Sequence, residues 1–356
     1  MKILETINVY SGEEAASPAK LSETNGLIST DYLPKFIHIN TRTIHEAIFL
    51  LQTYEERATV IAGGTTLLRE LKRRVQPILP GVLINLKSII KPKLDYIIED
   101  ELCIRIGSTT KLSKIVTNEI ILRKFAMLAQ SAKLSGFPQY RNMATIGGEI
   151  CQHVKCWYYQ SSNNLYYCHR KGGNTCQAIE GDNRYHAIYD IKDCCAVCAS
   201  EIAPILVAMD AKAKITGIGG EQIVKFEDFF TPLGNTLQHT DILTEIQIPN
   251  ATINSKGSFI KVGLRNEFDP AIASVSILAT IIDKVCTHAK IVLGGVCAIP
   301  NRAICAEKMI TGKIISDELA KKAAQITAQA ATPLQMNTYK LDLIESLVKR
   351  AILELI

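Results

Sequence analysis

Ala144-Thr145-Ile146-Gly147-Gly148-Glu149-Ile150-Cys151 opens a stretch, residues 144–198, that carries seven of the chain's eleven cysteines: Cys151, Cys156, Cys168, Cys176, Cys194, Cys195 and Cys198. Apolar, regularly patterned sequence lies on both sides of it. A glycine pair followed at once by a cysteine-rich loop, set inside an otherwise ordinary globular chain, reads as a binding region that the remaining elements present.

Working outward, a second glycine pair stands more than eighty residues earlier in Ala62-Gly63-Gly64-Thr65-Thr66. It lies between an expected buried strand, Thr59 to Ala62, and an expected helix, Leu67 to Arg74. Glycine there lets backbone approach a ligand closely, and N–H groups at a helix start favour an anion such as a pyrophosphate. Taken alone, either glycine pair is most simply a tight strand-to-helix turn that needs positive φ. Together, two such turns with hydroxyl donors can grip the two phosphates of one dinucleotide from different sides. Neither turn is GxGxxG or GxxxxGK[ST], so a Rossmann or P-loop site is not supported.

The bulk properties narrow the class. At 356 residues the chain is long for one core, so two or three domains are expected. Hydrophobic content of 47% with 21% charged residues is ordinary for a globular protein, and a net charge of +5 spread along the chain is too mild to mark a nucleic-acid binder. The first residues carry early acidic side chains and do not read as a signal peptide. No apolar run reaches the roughly 20 residues of a membrane helix. A cytoplasmic protein is therefore expected, and eleven cysteines there point to free thiols plus a metal site rather than a disulfide framework.

In chain order, residues 1–33 read as a polar extension, ordered in part against a partner subunit. Thr43-Ile44-His45-Glu46 fits a capping box ahead of a helix. Val82 to Leu86 is a further strand, and Lys93 to Ile106 a hairpin with Glu99-Asp100-Glu101 at its tip. Helices are expected at Lys111–Thr117 and Glu119–Leu134, with a loop from Ser135 to Asn142. Ser200 can cap a helix through Ala208, and strands follow at Ala213–Thr216 and Ile242–Ile248. After a polar break at Pro249 to Ser255 come strands Phe259–Leu264, Ala273–Ile282 and Ala289–Leu293. Helices Ala303–Thr311, Asp317–Ala331 and Leu341–Leu355 then complete a sheet covered by helices. The overall class is α+β.

On these motifs the chain resembles the FAD-binding subunits of the molybdenum hydroxylases, the family of xanthine dehydrogenase, carbon monoxide dehydrogenase and 4-hydroxybenzoyl-CoA reductase. Ala62–Leu68 matches the family's "AGGTDLL" turn, Thr145–Glu149 its "TIGGN" turn, and Ser200-Glu201-Ile202-Ala203-Pro204 its "SDxAP" segment. Lys261, Arg265 and Asp269 fit a "K…R…D.A" pattern, and Gly294-Gly295-Val296 with Pro300 fits "GGVAP.P". The likeness runs from about Leu33 onward. It implies a two-part FAD-binding domain of the PCMH type with a cysteine-rich insert, then a C-terminal sheet-plus-helices domain. The boundaries would be a 1–33 extension, FAD-binding subdomains at 34–90 and 91–250 with the insert at about 151–198, and a C-terminal domain at 255–356. It also implies FAD contacts at Ile61, Ala62, Gly63, Gly64, Thr65, Thr66 and Leu67, at Thr145, Ile146, Gly147, Gly148 and Glu149, and at Glu201, Leu243 and Lys261, with the isoalloxazine facing the C-terminal domain. Two positions depart from the pattern: Glu149 replaces the usual Asn and Glu201 the usual Asp. Both keep an acceptor, and Glu149 is expected to add charge near the flavin.

From residue types alone, the cysteines of the insert suit either zinc or an iron–sulfur cluster. A branch of the resembling family carries a [4Fe–4S] cluster in such an insert. Cys156-Trp157-Tyr158-Tyr159 matches its "CxYY" start and Cys168 through Cys176 its "C…KxGG..C". Tyr185 stands where the hydroxybenzoyl-CoA type has a cysteine, whereas Asn183-Arg184-Tyr185-His186-Ala187 followed by Cys194 matches the alternative "NRxHA…C" form. The implied ligands are Cys156, Cys168, Cys176 and Cys194, with Cys195 or Cys198 able to replace the last. Cys103, Cys286, Cys297 and Cys305 read as buried small hydrophobes, Cys151 as a neighbour of the flavin site, and His153, His169 and His186 as polar loop residues. The aromatics Trp157, Tyr158, Tyr159, Tyr166 and Tyr167 read as packing that also shields the insert from water.

The resemblance implies an oxidoreductase subunit with no general acid or base of its own. Its partners would be a large subunit with a molybdenum cofactor, a small [2Fe–2S] subunit, and an external electron carrier such as ferredoxin or NAD, in a heterotrimer or a dimer of heterotrimers. Two rival readings are a zinc-binding scaffold subunit without flavin and a standalone FAD oxidoreductase.

Overall fold

The structure, a computed structural model, describes residues 7–10, 32–250 and 254–356. Three sheets follow one another along the chain. The first joins β1 (Ile7–Tyr10), β2 (Phe36–Asn40), β3 (Ala58–Ile61) and β4 (Val82–Asn85) in the order β1-β2-β4-β3. β2, β4 and β3 are parallel, and β1 is added antiparallel to β2 with Ile7 opposite Ile39. The N-terminal extension thus contributes a strand to the chain's own sheet, where the sequence shows only weak patterning. The remaining residues of that extension, and the expectation that it orders against a partner, lie outside the described residues.

Parallel strands need crossovers, and two helices supply them: α1 (Ile44–Tyr54) and α2 (Leu67–Arg73). Thr43 caps α1 by accepting the Glu46 N–H at 3.1 Å; the Glu46 carboxylate reaches back to the Arg42 N–H at 2.7 Å, one residue before the expected partner. Ile44, Ala47, Ile48 and Leu51 of α1 pack with Val82 and Ile84 in the core of this part.

The second sheet is antiparallel and holds β5 (Ile97–Glu99) and β6 (Cys103–Gly107). Next comes a helical run: α3 (Leu112–Thr117), α4 (Glu119–Lys124), α5 (Ala126–Leu134), α6 (Pro138–Arg141) and α7 (Ile146–Ile150). The helix expected over Glu119–Leu134 is broken at Phe125, whose φ of −140° leaves the helical region. After the insert come α8 (Ala203–Ala208), β7 (Lys212–Gly217), β8 (Gly220–Lys225), α9 (Phe226–Phe229), a two-residue hairpin of β9 (Phe230–Thr231) and β10 (Gly234–Asn235), and β11 (Ile242–Pro249). The sheet order is β5-β6-β11-β7-β8. β8 is polar and largely exposed, which is why its apolar period is invisible in the sequence. Ser200 does act at the start of α8, its hydroxyl accepting the N–H groups of Ile202 and Ala203.

The third sheet is built from β12 (Ser255–Val262), β13 (Ala273–Ile282), β14 (Val285–Gly294), β15 (Asn301–Arg302) and β16 (Lys313–Ile314). Helices α10 (Ile304–Ile310), α11 (Asp317–Gln329) and α12 (Lys340–Leu353) cover one face. Their alanines, among them Ala320, Ala323, Ala324 and Ala351, are buried against Val275, Ile277, Ile291 and Leu293. Among the described residues no helix is long and apolar enough to cross a membrane.

The insert between α7 and α8 holds only two single turns, Ser162–Asn164 and His169–Lys171. A Lys155–Val197 bridge closes its base, and Cys194 to Val197 is buried chain outside any longer strand. The start of α12 and the segment leading into it clamp residues 183–187 of the insert. Lys340, fully buried, donates to the carbonyls of Tyr185, His186 and Gly295 at 3.2, 2.9 and 2.9 Å. Asn337 donates to the His186 and Ala187 carbonyls, and the Asn183 side chain accepts the Met336 N–H. Replacing Lys340 with Met leaves the Tyr185 and Gly295 carbonyls without this donor, at about 1–3 kcal/mol for each group stranded. The K340M chain should therefore unfold several degrees lower, and an unchanged melting temperature would show that the clamp contributes nothing.

Candidate functional site

The two glycine turns meet. A Cβ on Gly63 would lie 2.4 Å from the Met143 carbonyl oxygen and 3.0 Å from the Ala144 Cα, so only glycine lets the β3–α2 turn press against the chain entering α7. Gly64 stands at φ +73°, in the left-handed region. Between the turns opens a cavity of about 250 Å³ lined by Ile61, Ala62, Gly63, Gly64, Thr65, Thr66 and Leu67 from one side, by Thr145, Gly147 and Gly148 from the other, and by Leu243 of β11 across from them.

The second turn is the first turn of α7, with Thr145 as its N-cap. Its N–H groups are already engaged: Ile146 donates to the Thr110 carbonyl, Gly147 to the Ser108 carbonyl and Gly148 to the Thr145 hydroxyl. These three groups are spent within the protein, so the expectation that they would meet an anion is not met. The turn contributes shape to the cavity.

Four of the residues singled out from the sequence do not line the cavity. Ile146 is fully buried in the central core. Glu149, Glu201 and Lys261 form a buried network behind the turn. Glu149 accepts the Glu201 N–H at 3.3 Å, Tyr140 lies 3.4 Å from the other Glu149 oxygen, and Lys261 stands 3.6 Å from Glu201. Lys261 also donates to the Leu134 and Asp269 carbonyls, and Asp269 grips Arg265 through both carboxylate oxygens at 2.9 Å. Burial, reinforced by Glu201, pushes the Glu149 carboxyl up to about 8. At neutral pH it is therefore protonated, and it does not add the charge its position in the sequence suggests.

Several wall residues carry no motif signal in the sequence. Ser108 and Thr109 follow β6, and Glu70 lies on α2. The Ser108 hydroxyl and Glu70 Oε1 are both buried with no hydrogen-bond partner. The other Glu70 oxygen pairs with His153 Nδ1 at 2.8 Å. Orphaned polar atoms on a cavity wall are satisfied by a polar ligand. A Gly-Gly pair placed opposite a Gly-Ser-Thr-Thr strand end is the signal that could have found Ser108.

Cys151, Gln152 and His153 are shared with a second cavity of about 260 Å³ that reaches Tyr159, Arg170 and Cys198. Arg170 in turn lines a small third cavity, whose wall includes Cys156, Cys168, Cys176 and Cys194 together with Tyr158 and Tyr159. The structure thus brings together the four cysteines chosen from the sequence. Cys195 is fully buried and its thiol donates a hydrogen bond to the Cys176 sulfur; that hydrogen bond holds Cys176 well below the usual thiol range and pushes Cys195 far above it. Burial pushes Cys156 up to about 12 and Cys151 and Cys198 likewise. Cys286 and Cys297 are buried as expected, whereas Cys305 is exposed on α10 and Cys103 is half-buried.

His186 departs from its reading as a polar loop residue. It is buried, its Nε2 lies 3.2 Å from Cys156 Sγ, and burial beside Lys340 lowers it to about 4. Trp157 packs edge-on to Tyr158, Tyr185 and His186, and Tyr158 on Tyr166, while Tyr167 is exposed. Among the described residues no three His, Cys, Asp or Glu side chains converge on one ion position. The four cysteines line one small cavity instead.

Residues 34–251 match the family model described as the FAD binding domain in molybdopterin dehydrogenase, and residues 258–355 match the CO dehydrogenase flavoprotein C-terminal domain. The aldehyde oxidoreductase FAD-binding subunit PaoB of Escherichia coli (strain K12) is 27% identical over 293 residues, covering 80% of this chain and 87% of that protein. The carbon monoxide dehydrogenase medium chain of Hydrogenophaga pseudoflava is 24% identical over 324 residues, covering 90% and 96%. Among solved structures, carbon monoxide dehydrogenase from Hydrogenophaga pseudoflava lacking the Mo-pyranopterin moiety superposes with a TM-score of 0.73 at 23% identity, covering 90% of this chain and 96% of that one. Quinoline 2-oxidoreductase from Pseudomonas putida 86 gives 0.72 at 19% identity, covering 90% and 97%.

Proposed function

The chain belongs to the family of FAD-binding domains of molybdopterin dehydrogenases, the FAD-binding medium subunits of molybdenum hydroxylase complexes, and from that membership we propose that it carries electrons between a partner subunit and an external carrier. The partners in this reading are a large subunit with a molybdenum cofactor and a small [2Fe–2S] subunit, and the carrier is of the ferredoxin or NAD class. The relatives, which include subunits of an aldehyde oxidoreductase, a glyceraldehyde dehydrogenase and carbon monoxide dehydrogenases, support an oxidoreductase complex and span several substrates.

Bound flavin supplies both one- and two-electron steps, and a [4Fe–4S] cluster held by Cys156, Cys168, Cys176 and Cys194 would supply a further one-electron step. What the chain itself does is hold and separate these groups. Ile61–Leu67, Thr145, Gly147, Gly148 and Leu243 bind the flavin, Ser108 and Glu70 offer polar partners, and Glu149, Glu201 and Lys261 brace the second turn from behind. Tyr158, Tyr159 and the Trp157–His186 pair keep water from the cysteines. The carrying observation is continuity: the flavin cavity shares Cys151, Gln152 and His153 with a second cavity, and that one shares Arg170 and Tyr159 with the cysteine pocket. A structural zinc needs four donors converging on one point, whereas a four-iron cluster takes one thiolate at each corner, which suits the cavity lining better.

Anaerobically purified protein should show flavin absorbance with about four irons per chain. C194S should lose iron and keep flavin. Flavin without iron would remove the cluster and leave the flavin site standing; zinc without flavin would favour a scaffold role. Loss of iron in C195S but not in C194S would move the fourth ligand by one residue.

A further inference from the structure

Two cations flank the cysteine pocket, and neither is needed to bind flavin. Arg170 donates from Nε to Cys194 Sγ at 3.1 Å, and another of its guanidinium nitrogens is held by the Pro232 carbonyl in the β9–β10 turn. The side chain is thereby fixed at two points, one on the pocket and one on a different element. Its neighbour Lys171 is only 5% exposed. Its ammonium has no hydrogen-bond partner and lies 5.2 Å over the Tyr159 ring, which lines the same pocket. A buried, unpartnered ammonium is costly to keep unless negative charge stands nearby, and the thiolate ligands of the proposed cluster would supply it.

We propose that Arg170, through its hydrogen bond to Cys194 and with Lys171 behind it, raises the reduction potential of the iron–sulfur cluster in the cysteine pocket and so makes that cluster the electron acceptor from the flavin side. The inference rests on the cluster reading above. Its physical basis is general: adding an electron to a thiolate-bound cluster adds negative charge, and a donor on a ligand sulfur together with a fixed cation stabilises that added charge. Arg170 also lines the middle cavity, so the charge stands on the side from which an electron would arrive. It is a positioning residue, since it acts through Cys194.

The test is a redox titration of the anaerobically purified holoprotein, following the reduced cluster by electron paramagnetic resonance with iron and sulfide assayed on the same samples. In R170Q the midpoint should fall. At the wild-type midpoint, the ratio of reduced to oxidised cluster should drop about tenfold, equal to 59 mV for a one-electron couple. K171M should shift in the same direction by less. Equal iron with an unmoved potential in R170Q overturns the proposal while leaving the cluster reading intact. Wild-type protein without iron and sulfide overturns both. If R170Q fails to hold iron, R170K decides. It keeps the charge but loses the guanidinium fork, so a lowered potential supports the proposal and a wild-type potential overturns it.

Discussion

Replacing Gly63 with alanine is expected to yield a chain that folds but purifies with little flavin. The new Cβ would sit 2.4 Å from the Met143 carbonyl oxygen and 3.0 Å from the Ala144 Cα. Both obstacles are backbone, so no rotamer change relieves them, and the β3–α2 turn must move away from the start of α7. Overpacking of this kind costs about 1–3 kcal/mol. The cavity is the space between these turns, so most of that cost falls on the bound geometry, and each 1.4 kcal/mol weakens binding about tenfold. Flavin affinity should fall by roughly one to two orders of magnitude. G219A is the control: its Cβ meets nothing within 4 Å, and the residue lies outside the cavity. Flavin titration of the stripped proteins measures both, and wild-type affinity in G63A would show that the turns do not need to touch.

Glu149 carries the second large effect, on stability. Its carboxyl is raised from 4.5 to about 8 by burial and by Glu201. A group whose native pKa is raised binds its proton more tightly folded than unfolded. Its relative stabilisation is therefore complete below pH 4.5 and is lost as pH rises through 8. Glu149→Gln keeps an acceptor for the Glu201 N–H and cannot ionise. Wild type and E149Q should melt close together near pH 5, and the variant should be the more stable at pH 9. The upper bound on that difference is about 5 kcal/mol, which amounts to several degrees in melting temperature. Parallel melting curves across this range would mean that Glu149 remains ionised when buried.

These two residues also mark what could be read from the chain. Gly63 was legible because a strand, a glycine pair and a helix start are adjacent in sequence, and the requirement is local. The Thr43 cap and the β13 boundaries were legible for the same reason. Glu149 was misjudged because its charge state depends on Glu201, fifty-two residues away, and on Tyr140 packed across it. β1 and β8 escaped because an edge strand needs no apolar alternation to pair. His186 escaped because its burial comes from Trp157, Tyr158 and Lys340, none of them adjacent in sequence. The four cysteines were legible as a set through family likeness; that they share a wall with Arg170 was not, since that arginine is placed by the Pro232 carbonyl.

The clamp from Asn337 and Lys340 onto residues 183–187 carries a consequence for how the protein is made. A ribosome releases the cysteines well before it releases their brace. About 145 residues separate Cys195 from Lys340, which at 5–20 residues per second is a delay of roughly seven to thirty seconds. During that interval the thiols of the insert stand on unfinished scaffolding. In the proposed cluster reading, loading therefore belongs after translation of the C-terminal helices.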